Sequence, residues 1–319
     1  MLFLLLFLAS NDPIDFYLSQ YQLDELGAST PRFGLYHEGF IYLATRQAVL
    51  KLNPAGEVAS RFDQIGPGPR EMSQLCNVGV SKNAVILWDL MGRKVLGLNP
   101  DFQVVQHAST KKWDPFLTSV FLNQDHMYIF GQKYGPGPGD STQFTVTAQA
   151  IALNSLEPQG VASELFQSST MSTGVLVVQN GSELWVFPKG LSQLEITGYP
   201  LNAVPSQKHV KVPVPLFAEA NEEILTISQA IHAPKDKSFR TITLHQALEH
   251  NGGFRFYIQQ TLSSHGKTVQ EQFFVLDYAN NQIEKLEETE WVPLIAMSPM
   301  EKIWPFYKPD IGLQLQKIE

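Results

Sequence analysis

Arg61-Phe62-Asp63-Gln64-Ile65-Gly66-Pro67-Gly68-Pro69-Arg70-Glu71-Met72 leads on to Val85-Ile86-Leu87-Trp88-Asp89, and Arg93-Lys94-Val95-Leu96-Gly97-Leu98-Asn99 closes the stretch. An apolar strand runs into a Gly-Pro loop, and two further apolar runs follow, separated by a short polar turn. This is the pattern of a junction between two repeated β units, because Gly and Pro punctuate strands and polar turns join antiparallel neighbours.

Working outward, the two-run pattern recurs along the chain. First runs are Phe40-Ile41-Tyr42-Leu43, Val85 to Trp88, Met127-Tyr128-Ile129-Phe130, Leu184-Trp185-Val186-Phe187, Phe254-Arg255-Phe256-Tyr257 and Lys302 to Phe306. Markers at 41, 86, 128, 185, 256 and 303 stand about 45, 42, 57, 71 and 47 residues apart, the period of four-stranded propeller blades. Second runs follow each of them: Val49 to Leu52, Val95 to Leu98, Ala150 to Leu153, Leu191 to Ile196, Phe273 to Leu276 and Ile311 to Leu315. Three of these end in related turns, Leu52-Asn53-Pro54, Leu98-Asn99-Pro100 and Leu153-Asn154-Ser155, where Asn binds the backbone through its side chain. Outer strands come next, Glu57 to Phe62 and Phe102 to Gln106.

Each unit therefore holds strands A, B, C and outer D. One such sheet cannot bury both faces alone, so neighbouring blades must stack around an axis and close a ring. The sequence predicts an all-β, six-bladed β-propeller of four-stranded antiparallel blades. Its last unit stops after strand C, and the spare N-terminal segment Ile14 to Leu18 supplies the missing D strand. Residues 11–319 then form a single propeller domain. Phe16 to Leu26 also fits a short helix. Between Glu222 and Gln272, three strand-like runs leave a seventh blade open as the alternative.

Composition narrows the function. Acidic side chains number 31 against 23 basic ones, a formal net charge of −8, and no Lys/Arg cluster exceeds Lys111-Lys112. Nucleic-acid binding draws on clustered cations that neutralise phosphates, so that partner is excluded. The single cysteine, Cys76, makes no intrachain disulfide, and its apolar setting reads as a small buried hydrophobe. Met1 to Ala9 is apolar, too short for a membrane span and the right length for a signal-peptide core, although no Lys or Arg precedes it. Residues 1–10 are read as a leader, which places the protein in the periplasm or outside the cell, without a stable membrane span.

Gly66-Pro67-Gly68-Pro69-Arg70-Glu71-Met72, then Leu87-Trp88-Asp89 and Arg93 to Leu98, resembles the G-x-G-P-G-E-F signature of bacterial six-bladed β-propeller proteins related to NHL repeats. Arg70 replaces the last glycine and Met72 the aromatic residue. The resemblance implies the propeller fold and an envelope or secreted setting, and brings little chemistry with it.

Blade geometry puts D-to-A and B-to-C loops on one face. The Gly66 to Met72 loop is D-to-A, and a second Gly-Pro stretch, Tyr134 to Asp140, lies between strands B and C of the third unit. Arg70, Glu71, Lys133, Tyr134 and Asp140 are the candidate ligand-binding rim, since function concentrates on loops held by a rigid scaffold. Glu71 also suits a cap on its own loop, and Asp89 suits the end of strand B, tying a turn. The Gly-Pro loops are not phosphate cradles, because proline removes N–H donors. The eight histidines show no His-x-x-x-His spacing, His126 being the one best placed before a B strand, and there is no Gly-x-Ser-x-Gly elbow. The expectation is a non-catalytic binding or scaffold propeller, with no cofactor, that presents its loop face to a protein or glycan. The alternative is a lactonase- or lyase-like propeller enzyme using a divalent cation such as calcium or zinc in the central channel.

Overall fold

A computed structural model describes residues 16–31, 33–45, 48–73, 76–81, 84–89, 91–113, 117–123, 126–136, 142–168, 174–189, 195–201, 210–214, 223–225, 230, 233–234, 237–265, 267–295 and 303–317. Residues 1–10, expected from the sequence to be a leader, Asp140 and the side chain of Cys76 lie outside the described residues. Strand β1 (Tyr17–Ser19) and helix α1 (Gln20–Glu25) come first. Both readings of this segment are realised in succession. Ser19 ends the strand and caps the helix, its backbone N–H donating to Gln22 Oε1 at 2.9 Å while its hydroxyl accepts from Gln22 N–H.

Six sheets follow. Blade one is β2 (Phe33–His37), β3 (Phe40–Ala44), β4 (Val49–Leu52) and β5 (Val58–Phe62). Blade two is β6 (Cys76–Ser81), β7 (Ala84–Asp89), β8 (Lys94–Leu98) and β9 (Val104–Ser109). Blade three is β10 (Leu117–Leu122), β11 (His126–Pro136), β12 (Thr142–Ala152) and β13 (Glu157–Ser168), and blade four is β14 (Val175–Asn180), β15 (Glu183–Pro188), β16 (Glu195–Pro200) and β17 (Val210–Pro213). Blade five adds a two-residue strand, β18 (Glu223–Ile224), parallel to β19 (Ser238–His250), which pairs on through β20 (Gly253–Ser264), β21 (Lys267–Ala279) and β22 (Gln282–Thr289). The runs between Glu222 and Gln272 thus belong to one sheet, and the blade count is six. Blade six is β23 (Val292–Pro293), β24 (Ile303–Lys308) and β25 (Gly312–Lys317), completed by β1, which pairs antiparallel with β25 as Tyr17↔Gln314, Leu18↔Leu313 and Ser19↔Gly312.

The apolar runs are continuous because both faces of each sheet are covered. Along β7, Val85 and Leu87 enter a core shared with blade one, while Ile86 and Trp88 enter a core shared with blade three. Successive side chains point to opposite faces of a strand. The buried apolar residues fall into six clusters, one at each blade-to-blade interface, with the ring closed between blades six and one by Phe16, Leu18, Ile41, Leu43, Leu294 and Leu313.

The Asn turns between strands C and D show how a repeated position is used differently at closure. Asn53 Oδ1 accepts from the N–H groups of Ala55 and Glu57, and Asn99 Oδ1 accepts from those of Asp101 and Gln103. In blades one to three a turn residue is left-handed: Gly56 at φ 82°, Phe102 at 61° and Leu156 at 53°. Phe102 lies in the core with blade one and Leu156 in the core with blade two, each on the preceding blade. At Gly56 that place is taken by Leu18 of β1, whose Cδ2 lies 2.7 Å from where a Cβ would stand. The glycine makes room for the closing strand.

Gly56→Ala is expected to lose about 1–2 kcal/mol from the left-handed backbone, plus a steric part. Leu18→Ala is expected to lose about 2–5 kcal/mol. Urea denaturation of both single variants and the double variant checks this: the Gly56→Ala loss should shrink in the Leu18→Ala background.

Candidate functional site

The Gly66 to Met72 loop joins β5 to β6 and is held at both ends. Gly66 N–H donates to Met72 O at 3.0 Å, Met72 N–H donates to Gln64 O at 2.8 Å, and the Met72 side chain is fully buried between blades one and two. Glu71 folds beneath its own loop, where Gly68 N–H donates to its Oε2 at 2.7 Å. A Cβ on Gly66 would strike that carboxylate, and one on Gly68 would lie 2.8 Å from it, so the two glycines are required by the position of Glu71.

A second clamp comes from the B-to-C turn of blade two. Asp89, fully buried at the end of β7, accepts from Ser73 N–H at 2.6 Å, from the Ser73 hydroxyl and from Gly92 N–H at 2.8 Å. Lys94 is buried beside it, its Nζ 3.9 Å from Asp89 Oδ2 and donating to Gly68 O at 2.7 Å. Asp89 therefore ends strand B and ties a turn, and Lys94 carries that tie across to the Gly-Pro loop. Ser73, Gly92 and Lys94 were not singled out from the sequence; the available signal was a strand-ending Asp followed by Gly and Lys at short spacing.

With Glu71 and Asp89 engaged by the loop and turn, the exposed residues there include Arg70, Ile65 and Met91, together with Asp63, Gln64, Pro67 and Pro69. Lys133 and Tyr134 are exposed as well, on a different blade. There the pairing of β11 with β12 continues to Pro136↔Thr142, lifting the hairpin on the B-to-C side, the same side as the Gly66 to Met72 loop. The two stretches share a face but are carried by separate elements, one linking blades one and two and the other rising from blade three.

His126 and His250 have structural settings. His126 opens β11, its N–H donating to Asn123 Oδ1 at 2.8 Å and its ring tilted against Tyr128. His250, on the opposite face, accepts at Nε2 from Arg255, whose guanidinium holds Asp277 through two bonds of 2.6 and 2.8 Å. The Asp277 carboxylate in turn raises the Arg255 pKa by hydrogen bonding. Among the described residues no group of three or more His, Cys, Asp or Glu side chains is arranged to hold a metal ion.

No protein-family model and no curated protein matches the chain. Its fold is similar to that of a DUF4221 family member from Bacteroides vulgatus, with a TM-score of 0.56 at 9% identity over 96% of each chain. Weaker likenesses are to a candidate exported protein of Bacteroides fragilis (TM-score 0.49, 13% identity, 87% of this chain and 79% of that one) and to BamB from Moraxella catarrhalis (0.44, 11%, 91% and 86%). At these identities the likeness concerns the fold alone. Among the described residues no helix is long and apolar enough to cross a membrane.

Asp89→Ala should lose about 3–5 kcal/mol, because it strands a buried lysine and several N–H donors. Glu71→Ala should lose about 1–2 kcal/mol. Hydrogen exchange distinguishes them: Asp89→Ala is expected to deprotect Ser73 and Gly92, and Glu71→Ala to deprotect Gly68 alone.

Proposed function

We propose that the protein is a non-catalytic β-propeller of the bacterial envelope or exterior that presents the face made by its D-to-A and B-to-C loops to a protein or glycan. One observation carries this reading. The carboxylates nearest the Gly-Pro loop, Glu71 and Asp89, are committed to backbone donors and a buried lysine, so the loop is a rigid display rather than a set of free acid–base groups. The exposed side chains there include Arg70, Ile65 and Met91, a cation together with apolar groups, and such a combination suits a recognition surface. Lys133, Tyr134 and Asp140 extend the proposed rim on blade three. The apolar leader, Met1 to Ala9, and the resemblance of the Gly-Pro motif support the envelope setting.

A photo-crosslinking residue at position 70 or 134 tests the reading, with position 57 on the opposite face as control. In envelope extract of the source cell, a discrete adduct is expected from 70 and 134 and none from 57, and R70A/K133A/Y134A should abolish capture of the same partner by unlabelled protein. Equal adducts from both faces, or capture unchanged in the triple variant, would contradict it.

A further inference from the structure

Turns that face water are ordinarily built from small and polar residues. The B-to-C turn of blade two departs from this, because Met91 stands between β7 and β8 with 67% of its surface exposed. Among the described residues it packs into none of the six apolar clusters. The turn that carries it is nevertheless fixed. Asp89 accepts from Gly92 N–H at 2.8 Å and from Ser73 N–H at 2.6 Å, and Lys94, just past the turn, donates to Gly68 O at 2.7 Å. Met91 is thereby held on the same bonded unit as the Gly66 to Met72 loop, on the Gly-Pro face. A thioether is polarizable and adapts to irregular surfaces, which suits it to contact.

Two of the other six methionines lie among the described residues, and their setting is the opposite one. Met72 is fully buried between blades one and two, and Met127 is fully buried between blades two and three. Sulfur is thus offered to water on the loop face and sealed inside the ring. A hydroperoxide transfers one oxygen atom to a thioether: the S–O bond forms as the O–O bond breaks, the sulfur loses two electrons, the peroxide gains them, and water or an alcohol leaves. The sulfoxide is polar where the thioether was apolar. At Met72 or Met127 that change would bury a polar group in an apolar core. At Met91 it alters only the surface.

We propose that Met91 is an oxidation site that controls the Gly-Pro face: a hydroperoxide converts it to the sulfoxide and removes an apolar contact from the recognition surface, the ring stays intact, and enzymatic reduction restores the contact. This rests on the reading of that face as a recognition surface. It adds that recognition there depends on the oxidation state of one side chain.

The test treats the full chain, carrying a photo-crosslinking residue at position 70, with hydrogen peroxide at neutral pH and maps the oxygen uptake by peptide mass spectrometry. Met91 should be oxidised roughly tenfold or more faster than Met72 and Met127, whose sulfurs are reached only when the structure opens, and the unfolding midpoint should not change. In envelope extract of the source cell, the adduct from position 70 should fall about fivefold or more after oxidation. It should return after treatment with methionine sulfoxide reductases for both sulfoxide epimers and a dithiol. M91L exposed to the same peroxide should keep its adduct, which separates Met91 from Cys76 and from every other methionine, and M91Q should lose the adduct without peroxide. Oxidation of Met91 no faster than that of Met72, an adduct unchanged in the oxidised parent, or one weakened equally in oxidised M91L would overturn the assignment and leave the recognition face standing. An untreated parent that gives no adduct from position 70 or 134 contradicts the recognition face itself, and control by Met91 falls with it.

Discussion

The whole structure depends on the fact that no blade can cover its own faces. Strands such as β7 carry apolar side chains on both sides, so each sheet must be sandwiched between two others, and the last must meet the first. That requirement produces six interfaces and a ring. It also sets the role of the N-terminus: without β1, strand β25 would keep an open edge, and the core containing Leu18, Leu43 and Leu313 would lose one wall. The substitution of glycine at position 56, where blades two and three place Phe102 and Leu156, belongs to the same logic.

A rigid ring makes its loops rigid when they are tied to it. The Gly66 to Met72 loop is tied twice, from within by Glu71 and from the neighbouring turn by Lys94, whose charge is balanced by Asp89. Each tie uses a charged group, and burying charge is tolerable only when it is paired and hydrogen-bonded. The residues that give the motif its look are consequently structural, and what remains for recognition is the surface they hold in place.

Much of the fold was legible in the sequence because its signal is periodic. The paired apolar runs pointed to six units, and the strand-like run up to Leu18 was legible as the closing strand that pairs with β25. The Asn53 and Asn99 turns repeat bond for bond. What periodicity could not supply was strand length. The step from 128 to 185 contains strands of 11 and 12 residues, and the step from 185 to 256 contains the 13-residue β19 and the added β18, a spacing that read equally well as room for a seventh blade. Nor could sequence spacing show that Lys94 reaches Gly68, 26 residues away, or that Lys189 meets Leu244 from the neighbouring blade. Contacts between elements arise from the stacking of blades and leave no local pattern.

Closure is the claim on which the rest stands, and a disulfide reports it directly. Tyr17→Cys and Gln314→Cys, in a Cys76→Ser background, place two thiols on directly paired positions of β1 and β25. Under mild oxidation the account predicts near-complete intramolecular cross-linking of the folded protein and a higher unfolding midpoint in the oxidised form. Thiols that remain reduced in the folded state, or cross-link only between molecules, would contradict it.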